Sequence, residues 1–496
     1  MQLGRRTETL VFLTVLLVYL VLGSLFAVKT PIWQVPDEPA HYNYIRYIAE
    51  NGALPVLVEG DFPAEWLSVL KMFKFEGMSI DRVKYESHQP PLYYLLGTPV
   101  YLLATALRLQ PPLVLRFMSL IIGAVALWFG YRLVRSIFPD EPLLALGTAA
   151  FAATLPMHLT MAIGINNDVL AELLLAIVVG QVVLTGSETW SYKRACLLGI
   201  LLALALLTKL QAYVAVVIIL AALLWDYAAA RKAPGSLPFT RSLKLGLVIF
   251  GVALLAVLPW LIRNASVYGI TDILAQQRQA EVASSQLATL TYIKQVGLRA
   301  YAVAFATTTF KSFWGQFGWM GVVLHPRFYL AALLLTGLAG TGFAVWIVRA
   351  LRHTISASAL TWRGIFLLAV WTLATLAGFL WYNTHFVQFQ GRYLFPAIVP
   401  IGLAFTLGTR ELFRGRQVGP LLAVGLVVVL LLIDGLVRKN LKVFSIVMSA
   451  AVIPLLLIGK QIEKRVPGLM LAGIYLMMSV YSLYCLFAYI VPELTF

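Results

Sequence analysis

The sequence predicts an all-α polytopic membrane protein, and three observations carry that expectation. Of its 496 residues, 60% are hydrophobic and only 12% are charged. The apolar residues gather into separate runs, several of them long enough to cross a bilayer. Basic residues concentrate in short connections, RRTE, DYAAARKAPGSLPFTR, RALRH, TRELFRGR and KQIEKR, as they do in cytoplasmic turns. The net charge of +16, from 38 basic and 22 acidic residues, therefore reads first as a topology and anionic-lipid signal, and nucleic-acid binding is a poor account of it. Cys196 and Cys485 lie in apolar runs and offer neither a disulfide framework nor metal-knuckle spacing.

Arg5 and Arg6 precede the first run, 9–28. No small-residue cleavage site follows it, so it reads as a retained span with its N-terminus in the cytoplasm. Further runs fall at 92–107, 113–134, 143–162, 168–184, 195–207, 209–225, 243–262, 328–349, 363–381, 394–409, 418–436, 443–459 and 467–490. Together they predict one membrane-embedded domain, 1–496, of about 12–14 transmembrane or re-entrant helices, with 394–496 holding the C-terminal spans. Two polar regions interrupt the pattern, 29–91 and 263–327. Keeping the basic turns 226–242, 350–362 and 410–417 inside places both regions, and 382–393, on the non-cytoplasmic face. Residues 164–168 and Lys209 fall near that face as well.

The run 92–107 raises a parity conflict, because two crossings before Arg132 and Arg135 would leave those arginines outside. That run is only about 24 Å long as a helix and is hemmed by Pro90-Pro91 and Pro111-Pro112. Either it is re-entrant or flat, or the positive-inside rule fails at 132–135. The basic stretch 439–442 also falls on the wrong side.

Each external loop is predicted to carry an interfacial helix. In the first, His41, Tyr44, Ile45 and Ile48 repeat at helical spacing after Pro39. In the second, 272–301 joins a polar front half to an aromatic and apolar back half.

The candidate chemistry lies on the same face. In PIWQVPDEPAHYNYI, prolines before and after the acid pair stiffen Asp37 and Glu38, which suits a general base and equally suits a helix cap. His41 stands one turn on. VKYESHQPPLYYLL gathers Lys84, Tyr85, Glu86, His88 and Gln89 beside the lipid, where such groups hold a lipid phosphate or make ordinary headgroup contacts. Lys209, in LLALALLTKLQAYVAVVIIL, needs water, a counter-charge or an anionic ligand. Asp168 either caps a span or reaches the outer cavity. Gln390, Arg392 and Tyr393 in VQFQGRYLFP stand at the mouth of a late span, with Gly391 allowing close approach, and Arg392 is the strongest candidate for bidentate phosphate contact. Trp314, Phe317 and Trp319 form an aromatic elbow that suits either a lipid-facing cavity or a headgroup belt.

PDEPAHYNYI, QPPLYYLL, the Thr208-Lys209 pair and QGRYLFP, in that order along the whole chain, resemble the GT-C superfamily of membrane glycosyltransferases. The nearest likeness is to the protein mannosyltransferase and aminoarabinose transferase type, together with related bacterial membrane proteins of uncharacterised role. The resemblance implies a sugar donor linked to polyprenyl phosphate and a lipid, glycan or protein acceptor on the non-cytoplasmic face of the cell's inner (plasma) membrane. It implies Asp37 as general base or acceptor-orienting acid, with Glu38 as support or second acid. Aminoarabinose-type relatives carry a lysine where this chain has Gln89, so Lys84, His88, Lys209 or Arg392 would have to supply that phosphate contact. Some relatives bind a divalent metal near the first-loop acid. Asp37, Glu38, His41 and His88 include suitable ligands but follow no closed metal-site spacing, and no cofactor is otherwise implied. The alternative is a transporter or flippase of lipid-linked saccharides, which calls for midplane polar groups and a repeated half, neither of which is apparent.

Overall fold

Inside a bilayer every backbone polar group must find its partner within the chain, so apolar runs become helices. The computed structural model describes residues 4–185, 190–230, 239–352, 354–355, 357–414, 418–437 and 441–495. Parts of the basic turns near 231–238, 415–417 and 438–440 lie outside the described residues.

Helix α1 (Arg5–Lys29) leads to α2 (Glu38–Asn51) and α3 (Ala64–Met72) in the first polar region, then to α4 (Leu92–Ala106) and α5 (Pro111–Ile137). Helices α6 (Pro142–Thr154) and α7 (Pro156–Ile163) replace the expected straight run 143–162 with a pair bent by 70°. Pro156 causes the break, since it has no N–H for the carbonyl four residues back. Next come α8 (Asp168–Leu184), α9 (Tyr192–Leu206), α10 (Val214–Ala230) and α11 (Phe239–Tyr268). The second polar region holds α12 (Gln276–Val282), α13 (Thr289–Val296), α14 (Leu298–Trp314) and a small hairpin of β1 (Gln316–Phe317) with β2 (Val322–Val323). The expected interfacial helix 272–301 is thus divided, the second break falling at Gly297 with φ +83°. Last come α15 (Pro326–Leu351), α16 (Ala359–His385), α17 (Ile398–Arg414), α18 (Val418–Val437), α19 (Val443–Arg465) and α20 (Leu469–Cys485), which continues as one span through a wider turn, Leu486–Ile490, into α21 (Val491–Leu494).

The result is the expected all-α multi-pass bundle. Nine helices among the described residues are long and apolar enough to cross a membrane, or ten with the bent pair. Three expected runs formed shorter helices, α4, α8 and α9, of 15, 17 and 15 residues, and α18 counts as apolar only over Gly419–Ile433, so a count by length falls below the expected one.

Long-range pairs fix the path of the chain. Arg135 near the end of α5 binds Glu8 near the start of α1 at 2.6 Å, while Arg116 near the start of α5 donates to the Ala27 and Thr30 carbonyls at the end of α1. Helices α1 and α5 are therefore antiparallel. It follows that α4 leaves and rejoins the same end of the bundle, which removes the parity conflict in favour of a re-entrant or flat segment. At the amino-terminal end, Arg363–Asp226, Arg410–Glu141, Arg349–Glu411 and Arg414–Glu463 staple helix ends together. Residues 441–442 sit at the opposite end with the polar loops, because α19 runs back to the Arg414–Glu463 staple. Helices α15 and α17 cross so closely that a Cβ on Gly408 would fall 1.8 Å from the Ala339 carbonyl.

Candidate functional site

The site is built on the start of α2. Asp37 occupies its N-cap position with φ +68° and ψ −8°, left-handed, yet its side chain makes no capping bond. Of the two readings of the acid pair, simple capping is the one the side chain does not adopt. The left-handed turn sends the neighbouring carboxylates to different surroundings.

Glu38 points into the core and is fully buried. Arg116 grips it with two bonds, Nε to Oε1 at 2.7 Å and Nη2 to Oε2 at 2.6 Å, and the Trp33 amide donates to Oε2 at 3.0 Å. The other Arg116 donors reach the carbonyls of Ala27, Thr30 and Pro31. So committed, Glu38 latches the end of α1, the acid motif and α5 together, and this geometry suits a structural acid better than a second reacting one. Arg116 was no sequence candidate, although an arginine flanked on both sides by apolar residues near the start of the run 113–134 is a signal that a buried partner is required. Glu38→Gln is expected to cost about 3–5 kcal/mol, because it leaves a buried guanidinium without its counter-charge. Thermal unfolding in detergent reads this out, and an unshifted midpoint would remove the latch.

Asp37 faces the polar loops. Tyr85 donates its hydroxyl to Oδ1 at 2.7 Å, and Arg392 donates Nη2 to Oδ2 at 2.6 Å. Burial works to raise the Asp37 carboxyl, but the Arg392 guanidinium, helped by His41 and the Tyr85 hydroxyl, outweighs it and holds it down at about 2. Arg392 comes from the helical turn Gly391–Ala397 that opens α17. A Cβ on Gly391 would meet the Thr309 carbonyl at 2.4 Å and the Phe313 nitrogen at 2.6 Å, so glycine is needed for this turn to press against α14. The Tyr393 ring lies 5.3 Å from the Arg392 guanidinium carbon. Three buried polar atoms here, Arg392 Nε, Glu86 Oε2 and Gln390 Oε1, have no hydrogen-bond partner within the described chain.

A second ion pair stands nearby. Lys209 binds Asp168 Oδ1, and Asn167 ties this corner together by donating to the Thr208 carbonyl at 2.9 Å and to Gln89 Oε1 at 3.4 Å. His41 Nδ1 meets the Tyr94 hydroxyl at 2.7 Å. Burial lowers the pKa of His41 while Glu86, Asp37 and Asp168 act to raise it and Lys209 to lower it, so these charges share one neighbourhood. Burial also raises the Glu86 carboxyl, against the attraction of His41.

Lys84 stands apart: it is exposed, its amide binds the Asp61 carbonyl, and the acids that feel its charge are Asp61 and Asp81. In the aromatic elbow, Trp314 and Phe317 are buried, and Trp319 stacks on Phe75 and donates to the Trp33 carbonyl at 2.9 Å, bracing the first loop. Among the described residues no group of three or more His, Cys, Asp or Glu side chains is placed to hold a metal ion.

His88 carries a pH prediction. Its Nδ1 lies 3.1 Å from the Tyr85 carbonyl, and burial pushes its pKa down to about 4 from an ordinary 6.5. The unfolded chain therefore binds the extra proton first, and the contribution of a neutral buried His88 is complete above pH 6.5 and is lost as pH falls toward 4. A loss on the order of 3 kcal/mol over that window is expected from the size of the shift. His88→Asn should flatten the acid limb of a stability-against-pH curve between those limits. Asp37, with its depressed pKa, contributes above pH 3.8 and loses its share only as pH falls through about 2, outside the His88 window.

The bundle shares its fold with solved structures of ArnT from Cupriavidus metallidurans. Among solved structures it is similar to ArnT from Cupriavidus metallidurans bound to undecaprenyl phosphate, with 14% identity and a TM-score of 0.50, over 99% of this chain and 77% of that one. The apo state of the same enzyme gives 16% identity and a TM-score of 0.50, over 96% and 76%. An oligosaccharyltransferase from Archaeoglobus fulgidus, in complex with Zn and sulfate, is 16% identical with a TM-score of 0.48, and this chain, 94% covered, spans about half (53%) of its length. The family described as dolichyl-phosphate-mannose-protein mannosyltransferase matches residues 88–262. No curated protein matches the sequence significantly.

Proposed function

We propose that the chain is an inverting glycosyltransferase that moves a sugar from a polyprenyl-phosphate-linked donor to a lipid, glycan or protein acceptor, on the non-cytoplasmic face of the inner (plasma) membrane. The observation that carries this reading is the 2.6 Å contact between Asp37 and Arg392, an acid and a cation drawn from opposite ends of the sequence to one polar end of the bundle. The unpartnered Arg392 Nε, Glu86 Oε2 and Gln390 Oε1 support it, because buried groups of this kind call for a polar ligand. A donor that carries phosphate and sugar hydroxyls supplies the complementary atoms.

In this reading Asp37 accepts the proton from the acceptor hydroxyl or amine as that atom bonds to the anomeric carbon. The bond from that carbon to the phosphate oxygen breaks, and its electron pair leaves with the lipid phosphate, whose charge Arg392 and Lys209 neutralise. Tyr85 orients the base. Direct displacement on one carbon gives inversion; a two-carboxylate retaining route would need acids flanking the bond, and the core-facing Glu38 cannot pair with Asp37 in that way. The likeness to an enzyme crystallised with undecaprenyl phosphate favours a polyprenyl carrier.

The test is a proteoliposome assay with synthetic polyprenyl-phosphate-linked sugars and a panel of membrane and glycan acceptors. The expected product has its anomeric configuration opposite to that of the donor. Movement of intact donor between leaflets without bond cleavage would favour the flippase alternative instead.

A further inference from the structure

Beneath the polar end lies an ionisable pair for which the reaction above has no use. His158, on α7, sits with Nε2 2.9 Å from Glu172 Oε2 on α8, and with Nδ1 2.7 Å from the Ala152 carbonyl; both side chains are buried. Ala152 lies four residues before Pro156, so its carbonyl is the one that the proline leaves without a helical amide. A carbonyl only accepts, hence Nδ1 carries the hydrogen. Nε2 then faces a carboxyl oxygen, and one proton must lie between them, on the ring or on the acid. Ionisable groups at such depth are costly unless paired, and they are seldom idle.

The pair adjoins a cavity of about 20 Å³, lined among others by Thr148, Ala152 and Trp371. That is room for one water and no more. A ligand is therefore excluded, and the pair must act through the backbone that it ties. Three elements meet there. Met161, three residues beyond His158, has its sulfur against Arg392 Nη1; Asp168, the partner of Lys209, stands one turn before Glu172; and the Phe395 ring, in the same turn as Arg392, packs edge-on against the His158 ring at 5.3 Å.

We propose that His158 and Glu172 are positioning residues for the lipid-phosphate site. Their hydrogen bond closes the base of the α7–α8 hairpin, whose tip carries Asn166, Asn167 and Asp168, and the Ala152 bond fixes the angle at which the broken helix delivers that tip. Loosening the clasp lets the Lys209 and Arg392 corner drift without removing any group that touches the donor.

This inference rests on the proposed lipid-phosphate chemistry, and its test separates the two. Binding of undecaprenyl phosphate to the protein in nanodiscs would be measured for the wild type, Glu172→Gln, Glu172→Met and the double variant His158→Leu/Glu172→Leu. Glutamine can donate to Nε2 and keep the clasp, so its affinity is expected to match the wild type. Methionine should weaken binding about tenfold, the equivalent of roughly 1.4 kcal/mol, while turnover at saturating donor stays within about twofold. The double variant leaves neither partner of the pair stranded and so guards against a methionine variant that fails to fold; it should show the same weakening. A folded methionine or double variant with wild-type affinity overturns the clasp, as does a glutamine variant as weak as methionine. If the wild type itself does not bind the lipid phosphate, the proposed chemistry falls and the clasp's role falls with it.

Discussion

Asp37→Asn is expected to lower sugar transfer by about 10²–10⁴-fold, the range for removal of a positioned general base, while the protein stays folded. Asparagine is the appropriate replacement for a backbone reason. Asp37 sits at φ +68°, where asparagine is tolerated and alanine is strained, so the isosteric amide isolates the chemistry from the turn. Donor affinity should be unchanged or tighter, since Arg392 no longer shares its guanidinium with a carboxylate. The check is a pair of measurements on one preparation, single-turnover rate and donor binding. Wild-type turnover by this variant would remove Asp37 as the base.

The ion pair also bears on how so weak a base would serve in the proposed mechanism. With Arg392 bound to it, Asp37 has a pKa of about 2 and little appetite for a proton. In the proposed mechanism a donor phosphate would compete for the same guanidinium, and each contact it took from the carboxylate would raise the basicity of Asp37. Base strength would thereby be coupled to occupancy of the donor site.

Arg392→Ala carries the second large effect, a loss of donor affinity of about 10–100-fold, which corresponds to a hydrogen bond to a charged group. Arg392→Lys keeps the charge and loses the planar fork, so only partial recovery is expected. Turnover should fall as well, because the departing phosphate loses a neutralising charge. Equilibrium binding of polyprenyl phosphate, compared across the three proteins, decides the matter. An alanine variant that holds the lipid as tightly as the wild type would end the phosphate role of this arginine.

Much of the fold was readable because a bilayer leaves few options: apolar runs became helices, and short basic turns marked one end. The bend at Pro156 was missed because the run 143–162 keeps its apolar character straight through it. The path around α4 could not be read from charge alone; the Glu8–Arg135 pair, separated by 127 residues, carries that information. Within the site, adjacency in sequence concealed a division of labour. Asp37 and Glu38 look equivalent on the page, and a single left-handed residue turns one toward the loops and the other toward Arg116. Lys84 reads as a donor beside the lipid, and in the fold it stands exposed with its amide on the Asp61 carbonyl. The Asp168–Lys209 pair was half legible, since each residue alone demanded a partner.

The order in which ribosomes deliver these pieces matters. Glu38 and Arg116 emerge within 78 residues of each other, so the first loop can take its shape early, while the guanidinium that completes the centre is translated 355 residues after Asp37. During most of membrane insertion the acid is thus without its cation, and the pair can close only when the last third of the polypeptide docks. A chain that stopped before Gly391 would keep the Glu38–Arg116 latch and lack the Asp37–Arg392 pair, so the shaping of the first loop and the completion of the centre are separate events in the life of the molecule.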